Sequence, residues 1–243
     1  MTHQTLTILN NTLIAPGVFR LALGELEPAV EIRPGQFVNI QIPGFFLRRP
    51  ISICDKEGGT ITLIYKCVGE GTGALSTMKA GQTLDALIGL GNGYDLSRAG
   101  NSPLLLGGGL GIPPLYYLAK ELIRAGIMPR VLLGFNRSSE VIYENEFAAL
   151  GAHVTLITLD GSAGLAGFVT DHLPKEADFF YTCGPLPMLK AICSKTILPG
   201  QLSLEERMGC GFGACMGCSI QTTEGPKRVC KEGPVFDREV LGW

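Results

Sequence analysis

The sequence predicts a β plus α/β chain in three parts: a six-stranded antiparallel β-barrel over residues 1–99, a parallel-sheet α/β domain over 100–200, and a small C-terminal domain over 201–243. Three observations carry this. Short period-two runs of Val, Ile, Thr and Phe, separated by Pro-Gly and Gly-Gly pairs, fill the first part. Apolar strand-like runs alternate with helical patterns through the second, and four cysteines crowd among glycines in the third. With 243 residues there is room for two compact domains and an appendage. A content of 46% hydrophobic and 17% charged residues argues for a globular core and against disorder. The formal net charge of −2 leaves no basic footprint, which argues against nucleic acid as a partner.

Within the first part, segments 5–8, 18–23, 37–42, 60–65 and 80–87 read as strands, and a short helix is expected near 73–78. The strand that begins at Arg48 and Arg49 continues through Pro50, Ile51 and Ser52. Adjacent guanidinium groups beside a rigid proline can clamp a diphosphate, although an exposed basic turn has the same spelling. The Gly71-Thr72 pair, entering the expected helix, would add backbone amides to such a site.

The second part opens with an uncharged stretch, 99–119, that could pass for a membrane span. It holds five glycines and three prolines, so a buried strand, a glycine turn and a helix over 115–124 fit better. Gly107, Gly108, Gly109 and Gly111 form that turn, either to lay a dinucleotide pyrophosphate on the helix N-terminus or merely to pack helix on strand. Segments 131–135, 154–158 and 178–183 are further strands, with helices over 143–150 and 187–194 between and after them. Cys183, Gly184 and Pro185 then end what reads as the last strand, where open α/β sheets place ligands. Asn136, Arg137 and Ser138 could receive a 2′-phosphate, and no acidic residue obviously claims a ribose.

The third part places Cys210, Cys215, Cys218 and Cys230 in the order C-x4-C-x2-C-x11-C. This is the ligand spacing of a plant-type 2Fe-2S cluster, with Gly209, Gly211, Gly213 and Gly217 letting the backbone curl around it. Zinc is the alternative, but structural zinc more often uses two short knuckles, and disulfides or inert thiols complete the possibilities. Cys54, Cys67, Cys183 and Cys193 are scattered, and residues 1–17 have neither a basic start nor a continuous apolar run. A reduced, cytoplasmic protein without a membrane span is the expectation.

The spellings Arg49-Pro-Ile-Ser52, Gly71-Thr72 and Cys183-Gly-Pro185 resemble those of the ferredoxin reductase superfamily. The resemblance implies an FAD-binding barrel in which Arg49 neutralises the pyrophosphate and Ser52 lies near the flavin N5 edge. Pro50 and Ile51 share that strand, and Ile64, Tyr65 and Lys66 line the flavin or its ribityl chain. Position 51 is Ile where many members carry an aromatic residue. Cys183, the candidate catalytic residue, would lie with Gly184 and Pro185 beside the nicotinamide of NAD.

The stretch 204–218 and the Cys230-Lys-Glu-Gly-Pro-Val-Phe236 stretch resemble, more specifically, the family of electron-transfer subunits of class 1B dihydroorotate dehydrogenases. That resemblance covers essentially the whole chain. It implies an FMN-containing catalytic subunit as partner, two of each chain in a heterotetramer, and electrons passing through a 2Fe-2S cluster and FAD to NAD+ in pyrimidine (UMP) biosynthesis. Glu205, Glu206 and Arg207 read either as part of the partner surface or as a solvated run. The alternatives are a subunit of another flavin and iron-sulfur NAD(P)H reductase, of the sulfide dehydrogenase or NADPH-ferredoxin type, or a zinc-stabilised binding module without redox activity.

Overall fold

The computed structural model describes every residue except 29 and 175. Six strands, β1 (Thr2–Ala15), β2 (Val18–Gly24), β3 (Phe37–Gln41), β4 (Arg49–Glu57), β5 (Thr60–Lys66) and β6 (Thr83–Leu90), close into a barrel in the order β1-β2-β5-β4-β3-β6. Every pairing in it is antiparallel. Helix α1 (Glu70–Thr77) crosses from β5 to β6. Strand β1 is far longer than the four residues its spelling suggests, because its first half pairs with β6 and its second half with β2. The period-two alternation splits the wall cleanly. Ile51, Ile53, Leu63 and Tyr65 fill the barrel, whereas Cys54 and Ile64 turn outward into the core of the second lobe.

The second lobe runs β7 (Pro103–Gly108), α2 (Ile112–Arg124), β8 (Arg130–Phe135), α3 (Glu144–Ala149), β9 (His153–Thr158), β10 (Leu165–Ala166), β11 (Phe179–Cys183), α4 (Leu186–Lys195) and β12 (Gly200–Ser203). The remaining elements are the hairpin β13 (Ser219–Thr222) and β14 (Gly225–Arg228), then β15 (Val235–Asp237) and α5 (Arg238–Leu241). The sheet order is β10-β9-β8-β7-β11-β12-β15, parallel apart from β15, which runs antiparallel to β12. Thus β11 is not the last strand of the sheet, as the sequence suggests. Gly200-Gln-Leu-Ser203 is too polar for an apolar-run reading, yet it is buried because Gln201 accepts a hydrogen bond from the Asp95 amide at 2.9 Å and donates to Asp237 at 3.0 Å.

Two contacts seat α2 against the barrel. Tyr117 donates to the Ile32 carbonyl at 3.1 Å, and Lys120 pairs with Asp55 at 2.8 Å and with Glu57. Pro113 and Pro114 stand in the first turn of α2, where a missing N–H costs nothing. Residues β15 contributes and the bonds of Asn92 to the Glu232 and Val235 carbonyls, at 3.1 and 2.7 Å, tie the cysteine-bearing segment to both lobes. Among the described residues, no helix is long and apolar enough to cross a membrane.

Candidate functional site

The two adjacent arginines, equivalent by spelling, have different jobs. Arg48 is committed to Asp85 and to the backbone carbonyls of Asn39 and Asp85, both at 3.3 Å, so it braces the barrel and is not half of a clamp. Arg49 has no carboxylate partner among the described residues; it lies 5.3 Å over the Phe45 ring and donates to the Leu47 carbonyl. Its guanidinium rests on the start of α1, where a Cβ at Gly71 would stand 2.6 Å from Arg49 Nε. Glycine is therefore what lets the charge and the first-turn amides share one place, and those amides have no partner inside the helix. Thr72 fixes the turn, its hydroxyl accepting from the Val68 amide at 3.0 Å.

Pro50 and Ser52 are half-buried on the same stretch of β4, Ile64 is buried between the lobes, and Lys66 is exposed at the end of β5. Ile51 and Tyr65 pack into the barrel cluster. Tyr65 stacks on Phe19 at 5.5 Å while its hydroxyl donates to Asn11 at 3.0 Å. Asn11 in turn donates to the Leu75 and Met78 carbonyls at the end of α1. Strand alternation dictates this: Tyr65 shares its face with Leu63, so its side chain supports α1, the helix that carries Gly71.

In the second lobe, the sheet reverses direction of growth at β7, whose neighbours are β8 on one side and β11 on the other. A groove of about 390 Å³ opens at the carboxyl ends of these strands, lined by Gly108, Gly109, Phe135, Asn136, Phe168 and Pro185 among others. The glycine turn divides its labour. Gly109 (φ +52) faces open space, whereas a Cβ at Gly111 would stand 2.3 Å from the Cys183 carbonyl oxygen and one at Gly107 2.5 Å from Ile112. Hence Gly107 and Gly111 serve close packing, Gly108 lines the groove but is itself pressed by Met188, where a Cβ would stand 2.6 Å from the sulfur, and Gly109 alone of the four opens freely onto the groove. Gly184 and Pro185 continue from β11, with Pro185 on the groove and Gly184 on a second hollow that Glu205, Glu206, Lys190 and Trp243 also line. Cys183 is buried, and burial followed by the nearby Glu205 charge pushes its thiol well above the usual range. Glu140, which the sequence reading passes over, also lines the groove and accepts from the Asn136 side chain at 3.0 Å. Nothing in its spelling marks it, because it lies beyond the strand end in a charged, exposed turn.

Backbone amides join the four cysteines of the last segment two by two, Cys215 N–H to Cys210 Sγ and Cys230 N–H to Cys218 Sγ. Cys210 Sγ accepts from the Ala214 amide at 3.2 Å and the Cys215 amide at 3.4 Å, and Cys218 Sγ accepts from the Cys230 amide at 3.4 Å. Burial alone would raise the Cys210 thiol, but the amides of Cys215, Phe212 and Ala214 outweigh it and bring it down to about 6. Burial and the neighbouring Cys218 push Cys230 up to about 12. Among the described residues, no three His, Cys, Asp or Glu side chains meet at one mononuclear site. Two sulfurs for each of two irons is the division a 2Fe-2S cluster needs, and amides aimed at sulfur suit it. The donor set fits that group. The loop is also braced: Arg228 donates to the Gly213 carbonyl at 2.6 Å and pairs with Glu232 through Nε at 3.0 Å.

Residues 205–242 match the family profile of the iron-sulfur cluster binding domain of dihydroorotate dehydrogenase B. The whole chain is similar to the dihydroorotate dehydrogenase B (NAD(+)) electron transfer subunits of Geobacillus sp. (strain WCH70), 42% identical over 253 residues, and of Lysinibacillus sphaericus (strain C3-41), 42% identical over 254 residues. Each alignment covers 97% of this chain and 97% of the relative. Among solved structures, that of an NADH-dependent reduced ferredoxin-NADP oxidoreductase superposes with a TM-score of 0.87 at 32% identity, covering 98% of this chain and 90% of the other. On the strength of 42% identity across nearly the full length of both chains, with the barrel, the sheet and the cysteine loop in place, this chain belongs to the family of dihydroorotate dehydrogenase B (NAD(+)) electron transfer subunits.

Proposed function

We propose that this chain carries electrons from the FMN of a dihydroorotate dehydrogenase catalytic subunit, by way of a 2Fe-2S cluster and FAD, to NAD+. The assembly is two copies of each chain in the cytoplasm, and the pathway served is pyrimidine (UMP) biosynthesis. The observation that carries the reading is the pair of amide-to-sulfur contacts that join Cys215 to Cys210 and Cys230 to Cys218, in a chain whose first lobe presents Arg49 on Gly71.

Each part of the chain has a share in this. Arg49 and the first-turn amides of α1 at Gly71 and Thr72 bind the FAD pyrophosphate, and the half-buried Ser52 lies on the strand that faces the flavin ring. Gly108, Gly109 and Pro185 shape the floor for NAD, and Glu140 there suits a ribose hydroxyl better than a 2′-phosphate. Cys183, buried at the carboxyl end of β11, takes the nicotinamide side of the site together with Gly184 and Pro185. Bound FAD supplies what no side chain can, exchange of hydride with nicotinamide and of single electrons with iron.

The test is reconstitution with an FMN-loaded catalytic subunit under anaerobic conditions. Dihydroorotate-driven reduction of NAD+ is expected only when both chains are present. Loss of that coupling with FAD, iron and FMN all bound would contradict the assignment.

A further inference from the structure

One polar side chain in the barrel wall has no part in the sites above. Asn39 lies mid-strand in β3, between Val38 and Ile40, which are fully buried, and is itself 1% exposed. Its Nδ2 donates to the Cys210 carbonyl at 2.9 Å, across a separation of 171 residues. Its Oδ1 is buried with no partner among the described residues. A buried amide with an unmet acceptor is costly, so an apolar residue would serve the barrel better if packing were its only task. The opposite amide orientation would set two oxygens against each other, so the bond to the loop also fixes which way the group points. On the other side of that bond, Gly211 (φ +79) approaches so closely that a Cβ would stand 2.4 Å from Asn39 Nδ2.

The register gives this contact its meaning. Asn39 pairs with Pro50, Val38 with Ile51 and Phe37 with Ser52, so β3 is hydrogen-bonded along the Arg49-Pro-Ile-Ser52 strand. Neighbouring strands lie about 5 Å apart. The anchor of the thiol loop is therefore one strand away from the residues that hold the flavin. Arg48 reinforces the same point by donating to the Asn39 carbonyl at 3.3 Å.

We propose that Asn39 is a positioning residue for electron transfer, a tether that fixes the cluster-holding loop at Cys210 and Gly211 to the flavin-holding strand, and so sets the separation of the two redox groups. The inference rests on the proposed cluster and FAD sites. It adds that their spacing is controlled from the barrel and not by the loop alone.

The test compares full-length, anaerobically purified wild type with Asn39→Leu, Asn39→Ser and, as a control, Ile40→Val, which loosens the barrel interior without touching the loop. In hydrogen exchange read by mass spectrometry, peptides covering 209–217 are expected to exchange about fivefold faster in both Asn39 variants, the factor matching loss of a bond worth ~1 kcal/mol. Ile40→Val is expected to leave those peptides unchanged. In stopped-flow with NADH, flavin bleaching should keep its wild-type rate in the Asn39 variants while the following reduction of the cluster slows. Unchanged loop exchange in both Asn39 variants, equal acceleration in Ile40→Val, or equal slowing of both redox phases would overturn the tether. Iron and FAD contents of the wild type judge the underlying sites separately, and the exchange comparison decides the tether whether or not they are filled.

Discussion

The thiol loop and the nucleotide groove solve the problem of holding a group in opposite ways. The loop is irregular and partly exposed, and its shape comes from side chains: thiol sulfurs that accept from backbone amides, the Arg228 bond to Gly213, and Asn39 reaching over from the barrel. The groove comes from backbone topology, at the carboxyl ends of β7, β8 and β11, with glycines allowing strand and helix to close up. A site made of side chains should fail by losing its group while the fold survives. One made of topology should lose fold and ligand together.

Cys215→Ser offers the largest effect on the loop side. Transfer to the partner's flavin is expected to be abolished, while NADH-to-dye activity through FAD and the thermal midpoint stay close to wild type. Equal loss of both activities would erase the contrast. Arg49→Ala removes a charge-assisted phosphate contact of ~1.5–3 kcal/mol, so FAD should be held about 10–150-fold more weakly, with the cluster absorbance kept. Unaltered flavin occupancy after gel filtration would deny Arg49 that role.

On the groove side, Gly111→Ala forces a Cβ to within 2.3 Å of the Cys183 carbonyl oxygen. Such overpacking costs ~1–3 kcal/mol, and a lowered thermal midpoint should accompany weaker NADH binding. Weaker binding at an unchanged midpoint would mean that packing and ligand site are separable there.

The smallest effect concerns acid. The side-chain hydrogen bond from Arg228 pulls the Glu232 carboxyl from its ordinary 4.5 down to about 2. A carboxyl depressed in the folded state contributes fully above its unfolded value and loses that contribution as pH falls through the folded one. Hydrogen exchange at 211–214, corrected for intrinsic rates, should therefore accelerate more between about pH 5 and pH 3 in wild type than in Glu232→Gln. Matching acceleration in the two would show that the brace does not hold the loop.

The same contrast explains what could be read before the structure. Cysteine spacing names the ligand set outright, and period-two strands with Pro-Gly turns announce the barrel, because both patterns are local. Arg48 and Arg49 cannot be told apart locally; only the closure of β3 and β6 around Asp85 gives Arg48 its partner. The bond of the Tyr65 hydroxyl to Asn11, 54 residues away, is likewise beyond any local spelling. Strand β12 hides behind Gln201 and Ser203, whose burial depends on partners far along the chain. Asn39 is invisible for the same reason, since it meets the thiol loop through the fold and not through a spelling, and Glu140 is missed because nothing in an exposed turn shows that the turn borders a groove.

The most direct measurement of the central claim is metal, sulfide and flavin analysis of the anaerobically purified chain, paired with its absorption and low-temperature EPR spectra. About two irons, two acid-labile sulfides and one FAD per chain are expected, with an EPR signal appearing on reduction by NADH. A colourless chain that binds zinc through the four cysteines and holds no flavin would contradict it.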